Sequence, residues 1–262
     1  MLMPKPSPEK IARTEPSLPA ARRIRDALQA HPLFKTVPPD AINLLATQAH
    51  IQTAEKDQIL CLQDEDAKFL YIVLSGYIKL FRETTSGAEA ILDILGPMRM
   101  LGETPLLSTK KHPCSAQAAS LVEFIALPYS VIDPLLMTQA SFARAMLETI
   151  TLYRQLQDKE IEHRALQSTS QRIGCFLLHM TTVRTAGRLV IHLPYDKTLI
   201  AARLGMQPET FSRGLARLKS DTGLEVHGAK IIIPNAEALN RYCCTACSGN
   251  VPCTDRQKEC QN

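Results

Sequence analysis

Residues 196–218 read Asp-Lys-Thr-Leu-Ile-Ala-Ala-Arg-Leu-Gly-Met-Gln-Pro-Glu-Thr-Phe-Ser-Arg-Gly-Leu-Ala-Arg-Leu, and this stretch decides the fold. Asp196–Leu204 reads as a short helix, Gly205-Met206-Gln207 as a turn, and Pro208–Leu218 as a second helix. Proline suits the first helical position, where its missing N–H leaves no intrahelical bond unmade. Gln207 before it is not a favoured cap. Downstream, residues 224–234 (LEVHGAKIIIP) read as a hairpin with Gly228 in its turn. Upstream, Gln171–Val183 is a helix with Ile173, Phe176, Leu177 and Met180 on one face, and Arg188–Leu193 is strand-like. Two short helices joined at a glycine and followed by a hairpin make a winged helix-turn-helix.

The second helix carries Glu209, Ser212 and Arg213 at i, i+3 and i+4, on one face near its N-terminus. A helix end inserted in the major groove presents its first turns to base edges. Glu accepts from cytosine N4, Arg pairs with guanine O6 and N7, and Ser contacts a base or a phosphate. Thr210 and Arg217 complete the set expected to face DNA. The plainer alternative is a surface ion pair between Glu209 and Arg213. Charge favours DNA: residues 164–230 hold ten Lys and Arg against four acids, whereas residues 26–163 hold eleven against seventeen. A basic module beside an acidic one is a footprint of a nucleic-acid partner, with a merely solvated basic surface as the alternative.

Working further back, residues 142–173 contain no Gly or Pro and read as one long helix from Phe142 to Leu166. Phe142, Met146, Thr149, Tyr153 and Leu156 form a 4-3-4-3 seam, expected to pair with a second copy; packing on its own domain is the alternative. Between Ile51 and Leu127 the pattern is strand-like. Gln58–Leu62, Phe69–Leu74, Tyr77–Arg82 and Ala90–Leu95 are punctuated by Ser75-Gly76, Ser86-Gly87 and Gly96-Pro97. Short strands so spaced predict an antiparallel double-sheet roll. Residues 22–30 form a short helix, after a leader with five prolines in the first twenty residues. The fold class is therefore α+β: an N-terminal β-roll, which the resemblance given below makes a cyclic-nucleotide-binding-type roll, a long dimerisation helix and a C-terminal winged helix-turn-helix. The expected boundaries are a disordered leader over 1–24, the roll over 25–135, the dimerisation helix over 136–166, the winged helix over 167–242 and a Cys-rich tail over 243–262.

The chain resembles the CRP/FNR family of bacterial transcription regulators over about residues 32–242. The resemblance is carried by residues 70–80 (LYIVLSGYIKL), Gly102-Glu103 and residues 200–213 (IAARLGMQPETFSR). It implies a homodimer on double-stranded palindromic DNA, with RNA polymerase as a further partner. In the FNR branch, residues matching Glu209, Ser212 and Arg213 read a TTGAT half-site. In the cyclic-nucleotide branch, a Glu after Gly bonds the ribose and a later Arg neutralises the phosphate. Gly102-Glu103 is present, but the arginine's position falls near Cys114, and no Arg lies between Arg99 and Arg144. The reading therefore argues against cyclic AMP and gives Glu103 a structural role in the roll.

Cysteines offer another signal. Cys243, Cys244, Cys247, Cys253 and Cys260 crowd the last twenty residues. The x2 and x5 gaps of Cys244, Cys247 and Cys253 match a spacing that FNR proteins use for a [4Fe–4S] cluster, although there the ligands precede the roll. Thiolates select Fe–S or Zn, so one metal centre is expected, completed by Cys260, with Cys243 or Cys114 as alternatives. A tail of free or redox-active thiols is the other reading. Haem ranks below both, with His31, His50, His112 and His179 as candidate ligands. Cys61 and Cys175 sit in apolar runs and read as core.

Hydrophobic residues make up 45% of the 262-residue chain, which excludes a mainly disordered protein. No apolar run approaches membrane-spanning length and the start lacks a secretory h-region, so a cytoplasmic protein without a membrane partner is expected. No nucleophile motif or paired-carboxylate site points to an enzyme. The expected function is a transcription regulator responding to oxygen, nitric oxide or redox state. The alternative is a ligand-binding roll that regulates a partner protein, with DNA binding secondary.

Overall fold

The computed structural model describes residues 18–180, 183–185, 188–193 and 196–244. The chain divides into two compact units after Ile150.

The first unit opens with helix α1 (Leu18–Ala30), a 3-10 turn (Pro32–Phe34) and helix α2 (Pro39–Gln48). Strands β1 (His50–Ala54), β2 (Ile59–Cys61), β3 (Phe69–Ser75), β4 (Ile78–Glu83), β5 (Glu89–Leu95) and β6 (Met100–Leu101) follow. Helix α3 (Glu103–Leu106), strands β7 (Ser115–Ala118) and β8 (Val122–Pro128), helix α4 (Tyr129–Thr138) and the start of helix α5 (Ala140–Leu166) complete it. The strands form two antiparallel four-stranded sheets, ordered β1-β8-β3-β6 and β2-β7-β4-β5. This is the expected roll. The centrally placed β8 is buried at most positions, whereas β5, at the end of its sheet, is mostly open. Val73, Ile78, Ala116, Ala118, Val122 and Phe124 fill one core between the sheets, small residues alternating with one large ring.

Helix α1 corrects the expected leader. Its Ile24 and Leu28, one turn apart, are both fully buried, and Arg23 makes a 2.8 Å ion pair with Glu123 on β8. Residues 18–24 therefore belong to the folded unit, and the rest of the leader lies outside the described residues.

The second unit holds the later part of α5, helix α6 (Thr169–His179), strands β9 (Val183–Thr185) and β10 (Arg188–His192), helices α7 (Lys197–Arg203) and α8 (Pro208–Thr222), strands β11 (Glu225–His227) and β12 (Lys230–Ile233), and helix α9 (Ala236–Cys244). Its sheet runs β11-β12-β10-β9. Ile173, Leu177, Ile191, Ile200, Phe211 and Leu218 lie in its core. A capping box fixes the start of α6, with Ser168 and Gln171 each bonding the other's backbone N–H. Arg172 donates to the Leu204 carbonyl at the end of α7, and Arg203 of α7 pairs with Glu160 of α5.

The expected seam of α5 is corrected at its first two positions. Phe142 and Met146 are 0% and 1% exposed within the single chain, and the Phe142 ring lies 5.5 Å from that of Phe34. Those side chains are spent on their own unit and leave no surface for a second copy. Thr149, Tyr153 and Leu156 of the same series are half-buried. Glu160 and His163, which continue the series, are engaged inside the second unit. The tail boundary moves as well: α9 runs through Cys244 and buries Cys243 in the core, so the folded module continues past 242. Among the described residues, no helix is long and apolar enough to cross a membrane.

Candidate functional site

Helix α7 begins at Asp196, whose Oδ1 accepts from the Leu199 N–H at 2.8 Å. Gly205 makes the turn, and α8 starts at Pro208 with no side-chain cap from Gln207. Phe211, Leu215 and Leu218 are buried and hold α8 on its unit. Gly214 lets it approach α6 closely: a Cβ there would lie 2.5 Å from Thr169 Cγ2. The opposite face is open. Glu209, Ser212, Arg213 and Arg217 are exposed and Thr210 is half-buried. Among the described residues Glu209 and Arg213 form no ion pair, so their polar ends stay available to another molecule.

Arg217 differs from Arg213. Its Nε lies 3.6 Å from Asp221 Oδ2, and the same oxygen accepts from the Tyr242 hydroxyl at 2.9 Å. Tyr242 Oη also lies 2.9 Å from Ser170 Oγ. A chain of polar contacts therefore runs from α8 through α9 to α6.

In the roll, Gly102 sits at φ +104, and a Cβ there would lie 2.5 Å from the Phe69 carbonyl oxygen. The Tyr129 hydroxyl donates to the Gly102 carbonyl at 2.6 Å. This fixed turn delivers Glu103 into the interior. Its Oε1 accepts from the Thr104 hydroxyl at 3.1 Å, whereas the buried Oε2 has no partner. The expected structural role thus accounts for one oxygen only. Burial raises the Glu103 pKa, against the Arg99 charge. Cys114 occupies the arginine's position as a buried thiol whose pKa burial also raises. A cation does come near from another strand: Arg82 of β4 donates from Nε to the Pro113 carbonyl at 3.0 Å. The absence of arginine is thus true of the sequence around Cys114 but not of the space around it. The roll interior therefore holds the Glu103 carboxyl and, at Cys114, a thiol.

The histidines and cysteines sort by environment. His31 Nδ1 accepts from the Leu33 N–H at 3.2 Å and Nε2 donates to the Met98 carbonyl at 3.1 Å. Both ring nitrogens are used, which removes it as a haem ligand. His179 Nδ1 donates to the Cys175 carbonyl at 2.7 Å, which commits that ring to its own helix. His50 and His112 each keep a buried Nδ1 without a hydrogen-bond partner. Cys243 is fully buried against Gly174 in the core of the second unit, and Cys114 is buried in the roll. Cys247, Cys253 and Cys260 lie outside the described residues, as does the side chain of Cys244. Among the described residues no group of three metal-ligating side chains could hold an ion. Cys175, read as core, has a companion that spacing alone missed: His163, twelve residues earlier, reaches its sulfur.

A roll with an interior carboxylate, followed by a winged helix that presents an open polar face, defines a DNA-binding regulator with a sensor domain. A family model for the cyclic nucleotide-binding domain matches residues 51–139, and one for the Crp-like helix-turn-helix domain matches residues 171–242. A protein of Lacticaseibacillus casei assigned as transcriptional regulator Flp is 26% identical over 80% of this chain and 95% of its own. The fumarate and nitrate reduction regulatory protein of Yersinia pestis is 26% identical over 71% of this chain and 75% of its own. A Ruegeria pomeroyi protein assigned to cyclic nucleotide binding has a crystal structure that is 30% identical, with a TM-score of 0.62, over 86% of this chain and 98% of that one. The chain belongs to the CRP/FNR family of transcription regulators, which are not enzymes.

Proposed function

We propose that this regulator binds an FNR-like TTGAT palindrome as a homodimer and reads it with Glu209, Ser212 and Arg213. The observation that supports this is the open face of α8, where Glu209 and Arg213 make no ion pair with each other among the described residues. Thr210 and Arg217 flank the set and supply backbone contacts. Regulators of this family bind DNA as dimers. The expected experiment is a binding titration against the palindrome and against variants changed at single bases. Arg213→Ala should cost about 1–3 kcal/mol per half-site and relax preference at the guanine. Equal loss on every sequence would make Arg213 a phosphate contact instead.

The dimer seam proposed is the outer face of α5, since the inner face is occupied. Leu147 and Ile161 are 63% and 66% exposed and lie two heptads apart, with Ile150, Arg154 and Gln157 between them on the same face. We place the protein in the cytoplasm, with RNA polymerase as its partner at promoters. The signal proposed is oxygen, nitric oxide or redox state, acting on an Fe–S or Zn centre held by Cys244, Cys247, Cys253 and Cys260. Haem stays the lesser choice. Cyclic AMP is not its ligand in this reading, because Cys114 stands where the phosphate needs a positive charge. Titration calorimetry with cyclic AMP should give no heat of binding; a micromolar complex would overturn this and point to Arg82 as the cation.

A further inference from the structure

Four cysteines among the described residues are free and buried, yet their chemistry differs. Burial pushes the Cys61 thiol up to about 12, and it also raises Cys114. Cys175 moves the other way. It sits on α6 with His179 one turn later, while His163 reaches it from the last turn of α5. Its Sγ lies 3.8 Å from Nδ1 of each imidazole. Burial alone would raise its pKa, but the two imidazoles outweigh burial and lower it to about 6. The ionisable groups acting on the thiol are these two rings, one from each helix. Cys175 is 8% exposed, and the two rings beside it are half-buried.

We propose that Cys175 is a thiol-modification site, hydrogen-bonded by His163 and packed beside the His179 ring, and oxidised by hydroperoxides. The sulfur lone pair attacks one oxygen of hydrogen peroxide. An S–O bond forms and the O–O bond breaks. Sulfur is oxidised by two electrons, the peroxide is reduced by two, and the departing hydroxide takes a proton from solvent to leave as water. The product is a neutral sulfenic acid. It is reversible by thiols, and it removes the negative charge that both imidazoles face. The site bridges α5 and α6, and α6 is the helix that Gly214 of α8 packs against. This assignment is independent of the tail cysteines and of the DNA sequence read.

The test uses the full chain, reduced and free of added metal. Pulse alkylation with iodoacetamide across pH 5–9, followed by peptide mass spectrometry, gives a rate profile for each cysteine. Cys175 should show a midpoint near 6, whereas Cys61, Cys114 and Cys243 stay unlabelled in the native protein. Hydrogen peroxide followed by dimedone should place the adduct on the Cys175 peptide. The paired substitution His163→Gln and His179→Gln should slow alkylation of Cys175 at pH 7 at least fivefold and move its midpoint above 8. The wild-type profile decides the matter even if that variant fails to fold. A Cys175 midpoint above 8, or a native protein in which Cys175 resists both reagents, overturns the proposal.

Discussion

His31 shows how much one buried side chain can contribute to the pH response of the whole protein. Its ring is held neutral by burial, which lowers its pKa from 6.5 to about 4 despite the Met98 carbonyl. The unfolded chain therefore binds a proton that the native state refuses. This contribution is complete above pH 6.5 and is lost as pH falls through 6.5 towards 4. Between pH 7.5 and 5 it amounts to about 2 kcal/mol. Urea unfolding of wild type and His31→Gln over that range should show a pH dependence steeper by nearly one proton in the wild type. Parallel curves would sink the assignment. The residue scale is also where sequence reading stopped short. Glu209, Ser212 and Arg213 could be placed because one helix and its period fix their shared face. Cys175 and His179 share a helix too, and their i, i+4 spacing was readable. His163 was not, because its approach depends on the angle at the α5–α6 elbow, which no local pattern encodes.

Helix α5 carries the main lesson at the scale of elements. Its seven-residue period recurs on more than one face, and periodicity alone does not say which one meets a partner. Phe142 and Met146 are consumed inside the chain, so the exposed Leu147 and Ile161 are the ones proposed for the contact between copies. Leu147→Asp with Ile161→Asp should give monomers by sedimentation, with thermal stability of each unit largely retained. Phe142→Asp should instead unfold the first unit, because it places a charge against Phe34. An unchanged dimer in the double variant would move the interface off this face. Strands β2 to β5 were legible one by one because their turns are marked by Gly and Pro, whereas β1, β6, β7 and β8 were not. Helices α2, α4 and α9 were not either, since segments of nine or ten residues are too short for their period to decide between helix and strand.

Viewed whole, the molecule separates chemistry by unit. The acidic roll unit and the basic winged unit divide inside α5, close to where charge counting along the chain changes sign. The two-module plan was legible for that reason, while the sensor was not: a cysteine spacing states what could bind but not whether the sulfurs converge. Anaerobically purified protein should carry close to one metal centre, lost on Cys244→Ser with Cys247→Ser together with any oxygen response of DNA binding. Iron and zinc both under about a tenth of an equivalent would leave the tail as free thiols.

Asp221 deserves a final consequence, because it has two suitors. Arg217 meets Asp221 through Nε alone, which leaves its two terminal nitrogens free for a phosphate. The Tyr242 hydroxyl donates to the same carboxylate and holds it in place. Tyr242 lies on α9, two residues before Cys244. An arginine proposed to face DNA is thus steadied from behind by α9, much as a bracket keeps a reaching arm from swinging.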